Sequence, residues 1–355
     1  MPIYSKKSEA QTMSDAPILV TSAGGSTGSI GRSIVRGLRA RGLPVRAFVR
    51  TDDRRAQDLR DMGAEVFVGD LFNPRDVTRA VQGVGRIYFS MSPNPSYADA
   101  TILMATAAKR EGSCEIFVNM SNVEQSYMTL DNMSRPDAER IAILGADVQW
   151  SPQQRVHWAA ERALDWSGLP VCHIQAAIFV ENPITLWMTA ATIKEDDTIR
   201  LPFGDAKTAP IATADVADVC IEVLAAPQGH AHKSYVLTGP TRKNWYEFAE
   251  DFSAALGRKI TYVPTTIDDF RNQLRTLAPG LPEHVSLHLE NLALQNGGGK
   301  YVANARNDVE LLLKRPATPL KAVIEAETWR FEKGVPNQLQ HGDLKDFKRQ
   351  RFTAS

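Results

Sequence analysis

The chain has 355 residues, 43% of them hydrophobic, and its 41 basic and 41 acidic side chains cancel. That length buries one large core and a smaller one, and zero net charge supplies no global field for nucleic acid or an anionic membrane. No apolar run approaches the roughly 18–20 residues that a membrane helix needs. The opening MPIYSKKSEAQTMSDAP has no apolar stretch of the secretory kind, so 1–15 reads as a disordered polar leader. Cys114, Cys172 and Cys220 are few and stand among apolar neighbours. That fits buried thiols in a reduced, cytoplasmic interior better than a metal site or a disulfide.

The first strand is Ile18-Leu19-Val20. A loop with four glycines follows, AGGSTGSIG, and then a helix from about Ser29 with Ile30, Ile34, Val35 and Leu38 at helical spacing. A mononucleotide P-loop ending at Gly31-Arg32-Ser33 would need glycine where Ser26 stands and lysine where Arg32 stands, so that reading fails twice. The spacing of Gly25, Gly28 and Gly31 instead fits a dinucleotide loop of the form G-x-x-G-x-x-G. Gly25 takes the tight turn, Gly28 admits a pyrophosphate to the backbone, and Gly31 lets the helix lie close to its strand. The helix start, Ser29 and Ile30, offers free N–H groups to the phosphates, and Ser26 and Thr27 add hydroxyls.

LPVRAFVR is a second strand ending at Arg50, and RRAQDLRDMG a helix closed by Gly63. AEVFVGDL, NPRDVTRAVQGV and RIYFSMS continue as strand, helix and strand. A helix over 95–111 leads to the strand CEIFVNMS. PQQRVHWAAERALDWSG is an amphipathic helix with Gly168 at its C-cap, and LPVCHIQAAIFV a further strand. This alternation predicts an α/β fold, a doubly wound parallel Rossmann sheet over 16–180 with 208–238 returning to it. From 181 prolines punctuate the chain. Residues 181–207 and 239–335 read as a smaller, mostly helical C-terminal substrate lobe, and 336–355 as a polar tail.

Ligands of such sheets lie at the carboxyl ends of the strands. The end of the second strand reads the adenosine ribose: a carboxylate there suits NAD, an arginine the 2′-phosphate of NADP. Arg50 stands there with Arg54 close behind, which favours NADP(H) over NAD(H). Asp52 and Asp53 complicate that choice unless they cap the next helix. Asp70 and Leu71 close the third strand beside the adenine. Ser90, Met91 and Ser92 close the fourth beside the ribose, and Asn119 and Ser121 close the fifth at the nicotinamide. Asp215 and Asp218 in TADVADV read as helix-capping and dipole partners. Glu283, His284 and His288 have a zinc-like look, but H-E-x-x-H requires Glu where Val285 stands.

Several stretches together resemble the NmrA-like branch of the atypical short-chain dehydrogenases/reductases. They are Gly25/Gly28/Gly31, VRAFVR with Arg50, GAEVFVGDL, VQGVGRIYFSMS, HWAAERALDWSGLPV, FVEN, ATADVADV and VLTGP. The resemblance covers most of 16–260. It implies an NAD(P)-binding Rossmann protein; some members reduce quinones, dyes and other small conjugated acceptors, and others bind the dinucleotide as regulators. It also implies that His157, where relatives carry His or Lys, lies near the nicotinamide. Three departures stand out: the first loop is two residues longer, Gln175-Ala176 replaces the usual Arg-Pro, and no tyrosine has lysine four positions on, so the Tyr-x-x-x-Lys dyad is missing.

His157 and Glu161 share a helix face at spacing i, i+4. Histidine titrates near neutrality, which makes His157 a candidate proton donor, the alternative being a hydrogen bond to cofactor or backbone. Tyr127 is a second candidate on the loop after the fifth strand, and Phe179 flanks the nicotinamide face. The expectation is a monomeric or homodimeric NADPH-dependent reductase of a small, flat acceptor, with a dinucleotide-sensing regulator as the alternative. Neither nucleic acid nor membrane is an expected partner. A sugar-nucleotide epimerase is disfavoured, because that chemistry uses the absent Tyr-Lys pair.

Overall fold

The computed structural model describes residues 16–24, 30–144, 150–299 and 308–337. Its first half alternates β1 (Ile18–Val20), α1 (Ile30–Ala40), β2 (Val45–Val49), α2 (Arg54–Asp61), β3 (Glu65–Val68), α3 (Pro74–Val81), β4 (Arg86–Phe89), α4 (Tyr97–Glu111) and β5 (Ile116–Asn122). The short α5 (Leu130–Met133) and α6 (Asp137–Leu144) follow, then α7 (Pro152–Ser167) and β6 (Val171–Ala176). Beyond them come α8 (Thr189–Asp196), β7 (Thr198–Leu201), α9 (Thr213–Ala225), β8 (Lys233–Leu237), α10 (Trp245–Leu256) and β9 (Thr261–Pro264). The chain continues through α11 (Ile267–Leu277), α12 (Glu283–Gly298), α13 (Asp308–Leu313) and α14 (Leu320–Ala326).

Seven strands form one parallel sheet in the order β3-β2-β1-β4-β5-β6-β8. Both faces are covered, which is why the strands are nearly continuous apolar runs. Ile18 and Val20 point into a cluster with α1, α2 and α9, while Leu19 points the other way into a cluster with α3, α4 and α7. The order reverses at the β1–β4 boundary, where a ligand crevice is expected. Ser151 and Gln154 close a reciprocal capping box at the start of α7, and Gly168, at φ +73°, ends that helix as its composition implies.

Several sequence expectations need correction. AEVFVGDL is a strand only over Glu65–Val68, because Asp70 turns the chain by accepting from the N–H of Phe72. LPVCHIQAAIFV pairs continuously only to Ala176; Phe179 makes a single bridge to Ile211. The C-terminal lobe has its own core around Trp245, Phe252 and Phe270, and it also contains a two-stranded parallel sheet, β7-β9. The segment 308–318, expected in that lobe, leaves it. Val309 and Ala317 join the core beneath the main sheet, and Asp308 accepts from the N–H of Val236 on edge strand β8. Asp215 and Asp218 do not cap α9 as expected: both hold Arg315 (2.7 and 2.6 Å), and Asp215 also accepts from the N–H and hydroxyl of Thr318. The N-terminus of α9 is instead served by Glu181 of FVEN, which accepts from the N–H and hydroxyl of Thr213.

Cys114, Cys172 and Cys220 are free thiols. Among the described residues no helix is long and apolar enough to cross a membrane, and no group of three or more His, Cys, Asp and Glu could hold a metal ion.

Candidate dinucleotide site

The carboxyl ends of β1 and β4 are tied by one side chain. Thr21 donates its hydroxyl to the carbonyl of Ser90 (2.7 Å) and accepts from the Ser90 N–H (2.8 Å). Immediately above, α1 lies so close that a Cβ on Gly31 would stand 2.8 Å from the Ser22 carbonyl oxygen and 2.9 Å from the Ala23 nitrogen. Those are backbone atoms with no freedom to withdraw, so glycine is obligatory there. Ile30 starts α1 and is buried. Gly25, Ser26, Thr27, Gly28 and Ser29 lie outside the described residues.

At the end of β2 the acidic pair is occupied. Asp53 caps α2, accepting from the N–H groups of Arg55 and Ala56, and holds the Arg55 guanidinium, which pulls its carboxyl below the usual range. Asp52 pairs with Arg60 at 2.8 Å. Arg55 also donates to the Gly24 carbonyl (2.9 Å), so it braces the edge of the glycine loop. Arg50 is exposed, and no described residue hydrogen-bonds or ion-pairs with its guanidinium. Arg54 is exposed on the first turn of α2. Asp70 is exposed beyond β3 and Leu71 half-buried beside it; Ser90 and Met91 are half-buried and Ser92 exposed beyond β4.

The β5–α7 end is built differently. Asn119 and Ser121 both face α7 beneath the sheet end. Asn119 is fully buried, donating to His173 Nδ1 (3.0 Å), whose Nε2 in turn reaches Asp165 (3.1 Å). That places Asn119 in a buried polar layer below the strand terminus rather than on an open pocket wall. Ser121 is one step nearer the end, and its hydroxyl has no partner among the described residues. Glu161, buried in the same layer, accepts from the Gln175 amide with both carboxylate oxygens, 3.1 and 3.2 Å. The glutamine that replaces the family's arginine therefore serves this carboxylate.

His157 packs against the buried ring of Tyr97 in a tilted arrangement, with centroids 4.2 Å apart. Its ring keeps some exposure, but Nδ1 is buried and has no partner among the described residues. Burial, with His288 nearby, pushes its pKa down to about 3. The imidazole is therefore neutral at physiological pH, which removes the proton that an imidazolium donor would carry. Tyr127 is half-buried on the turn after β5 and packs on the main core; Phe179 packs there too, its carbonyl accepting from the Thr185 hydroxyl.

Sequence reading missed how α7 meets the lobe. His288 on α12 pairs with Ser151 (3.0 Å), His284 with Gln153 (2.6 Å), and Gln295 exchanges hydrogen bonds with Gln154 (2.7 and 3.2 Å). The two histidines of the apparent zinc-like set, His284 and His288, are thus seam residues. The one available signal was that Gln153 stands four positions before His157, on the same helix face.

Residues 25–227 match the model of a protein family described as NAD(P)H-binding. The chain belongs to that family. Among relatives, it is 28% identical over 309 residues to an NAD(P)H azoreductase of Xenophilus azovorans, covering 86% of this chain and 97% of that one. Solved structures share the fold. An NADPH complex of the Escherichia coli quinone oxidoreductase QOR2 superposes with a TM-score of 0.70 at 22% identity, covering 87% of this chain and 99% of that one. An NAD complex of NmrA, a negative transcriptional regulator, superposes at 0.67 with 16% identity, covering 92% and 100%. The fold is shared with these quinone oxidoreductase and NmrA structures, in line with the resemblance the motifs carry. The close α1–β1 approach at Gly31 fits the dinucleotide that this NAD(P)H-binding family takes.

Proposed function

We propose that this NAD(P)H-dependent oxidoreductase uses NADPH in preference to NADH to reduce a small, flat, conjugated acceptor, a quinone or azo compound among the candidates. The observation that carries the cofactor preference is the state of the β2 end. Two carboxylates stand beside Arg50, yet both are bound to other arginines, Asp52 to Arg60 and Asp53 to Arg55, and Asp53 also accepts from helix N–H groups. Arg50 is left as the uncommitted guanidinium where a 2′-phosphate would lie, and it pairs with phosphate through two N–H groups. Bound NADPH supplies the hydride. The chain's own part is to hold and orient: Gly31 admits the backbone contact, Thr21 locks the crevice between β1 and β4, and His157, neutral and packed against Tyr97, offers a hydrogen bond rather than a stored proton. The breadth of the azoreductase match, which includes the lobe, supports a catalytic role.

Arg50→Ala tests the preference. NADPH affinity is expected to fall roughly ten- to hundredfold while NADH affinity barely changes, since a hydrogen bond to a charged group contributes about 1.5–3 kcal/mol. Equal losses by calorimetry would take Arg50 out of the site. The missing Tyr-Lys dyad and the neutral His157 favour one alternative, a dinucleotide sensor. Wild-type protein that binds NADPH yet oxidises it with no quinone, azo dye or enone would establish that alternative.

A further inference from the structure

We propose that Gln153 is an oriented hydrogen-bond donor for a carbonyl oxygen in the ligand crevice, acting with His157 one turn further along α7. This rests on the dinucleotide-site reading above.

The orientation of the Gln153 amide follows from its partners. Its Oε1 accepts from the backbone N–H of Asn94, on the loop beyond β4, at 3.0 Å. A backbone N–H can only donate, so the oxygen and not the nitrogen of the amide must face it. The same oxygen lies 2.6 Å from His284 Nε2 on α12, which must then carry the proton. With Oε1 held from two sides, the Nε2 amide group is turned away from both. It is buried and has no partner among the described residues, in a side chain only 1% exposed. A buried N–H donor left unpaired costs about 1–3 kcal/mol, so such groups are rare unless something outside the protein's own atoms serves them.

The surroundings bear on what the donor serves. Gln153 and His157 stand at i and i+4, on one face of α7. His157 Nδ1 is also buried and unpartnered, and so is the Ser121 hydroxyl at the carboxyl end of β5. The three unmet polar atoms therefore stand on α7 and on the end of β5 that it packs against, at the sheet end where ligands of this fold lie. None of them is charged: the imidazole is held neutral by burial. A neutral acceptor oxygen suits this set better than a phosphate or carboxylate. Two sources offer one, the carboxamide of the nicotinamide and the carbonyl of a quinone-type acceptor. Asn94 and His284 belong to the β4 loop and the lobe, so Gln153 also joins both walls of the crevice to the donor.

Gln153→Glu separates donor from scaffold. The introduced carboxyl keeps an oxygen for Asn94 and His284 but presents an acceptor where the amide donated. NADPH affinity is measured by calorimetry, and steady-state kinetics use menadione and methyl red as acceptors. A loss of about three- to tenfold in NADPH affinity assigns the donor to the carboxamide. An equal rise in KM for menadione alone, with NADPH affinity and methyl red kinetics unchanged, assigns it to the acceptor carbonyl. Either loss shrinks at low pH, where the protonated carboxyl donates again; a purely structural role would instead lower NADPH affinity and the kinetics with both acceptors together, in step with melting temperature. Gln153→Leu gives the same pattern without the pH recovery. If folded Gln153→Glu matches wild type in NADPH affinity and both acceptor kinetics, the donor serves only a buried water and the proposal is overturned. Wild-type protein that fails to bind NADPH at all would instead overturn the dinucleotide reading.

Discussion

The β2 end and the α7 end of the crevice are built by opposite means. At β2, Asp53 holds Arg55 two positions away, and Asp52 holds Arg60 eight away, on an exposed surface. At α7, Gln153, Ser151 and Gln154 find their partners 131, 137 and 141 positions later, in a buried seam with the lobe. Local pairs in water are worth little individually and tune what the surface attracts. Buried pairs across a domain seam cannot be released without leaving polar atoms dry, so they set geometry. The β2 end thus presents exposed charge paired between near neighbours, and the α7 end a seam of amide, hydroxyl and imidazole groups paired across to the lobe.

The largest expected effect that separates the two ends is acid sensitivity. Burial, with His288 and His284 as the respective neighbours, pushes His157 to about 3 and His288 to about 4 from an ordinary 6.5. Below pH 6.5 the unfolded chain takes up these protons and the folded chain does not. The contribution is therefore intact above 6.5 and lost as pH falls from there towards 4. A loss of about 2–4 kcal/mol by pH 5 is expected from the two together. Melting temperature against pH measures it, and His288→Leu should make the acid limb shallower. Parallel limbs would place the acid sensitivity outside the seam.

Gln295→Leu probes the seam without titration. It leaves the buried Gln154 amide without its partner and is expected to cost about 2 kcal/mol in urea denaturation. A cost near zero would mean that the seam relaxes, and the contrast between the two ends would fail.

The α7 end also shows where sequence reading stopped. The i, i+4 spacing of His157 and Glu161 correctly put both on one face, but Glu161 turned to Gln175 and His157 to Tyr97, on other elements. Asn119 was rightly placed on β5, yet its depth beneath α7 depends on how that helix lies across the sheet. At β2, by contrast, the capping alternative is legible for Asp53, because a cap is a contact between near neighbours, while Asp52 pairs with Arg60 instead.

The smallest expected effect belongs to the β2 end. Asp53→Ala removes the α2 cap and should lower stability by about 1 kcal/mol. NADPH affinity should stay level or rise slightly, since a carboxylate leaves the surroundings of the 2′-phosphate. A marked fall in NADPH affinity, read by calorimetry, would show that Asp53 positions Arg55 for the cofactor and that the surface is less adjustable than its exposure suggests.

By itself the sequence determined the alternating strands and helices, the glycine at the α1–β1 approach, the arginine at the end of β2 and the family. Each of these is written in residues close along the chain: a period, a turn, a cap, a strand terminus. The tertiary structure alone decided that Asp215 and Asp218 anchor Arg315, that 308–318 returns to the main sheet, and that α12 orients Gln153. Those outcomes depend on which faces are buried against each other. A side chain's pKa, its free hydrogen-bonding atoms and its orientation come from the dielectric and the partners that packing assembles, and those partners stand far away along the chain, from 59 to 141 positions here.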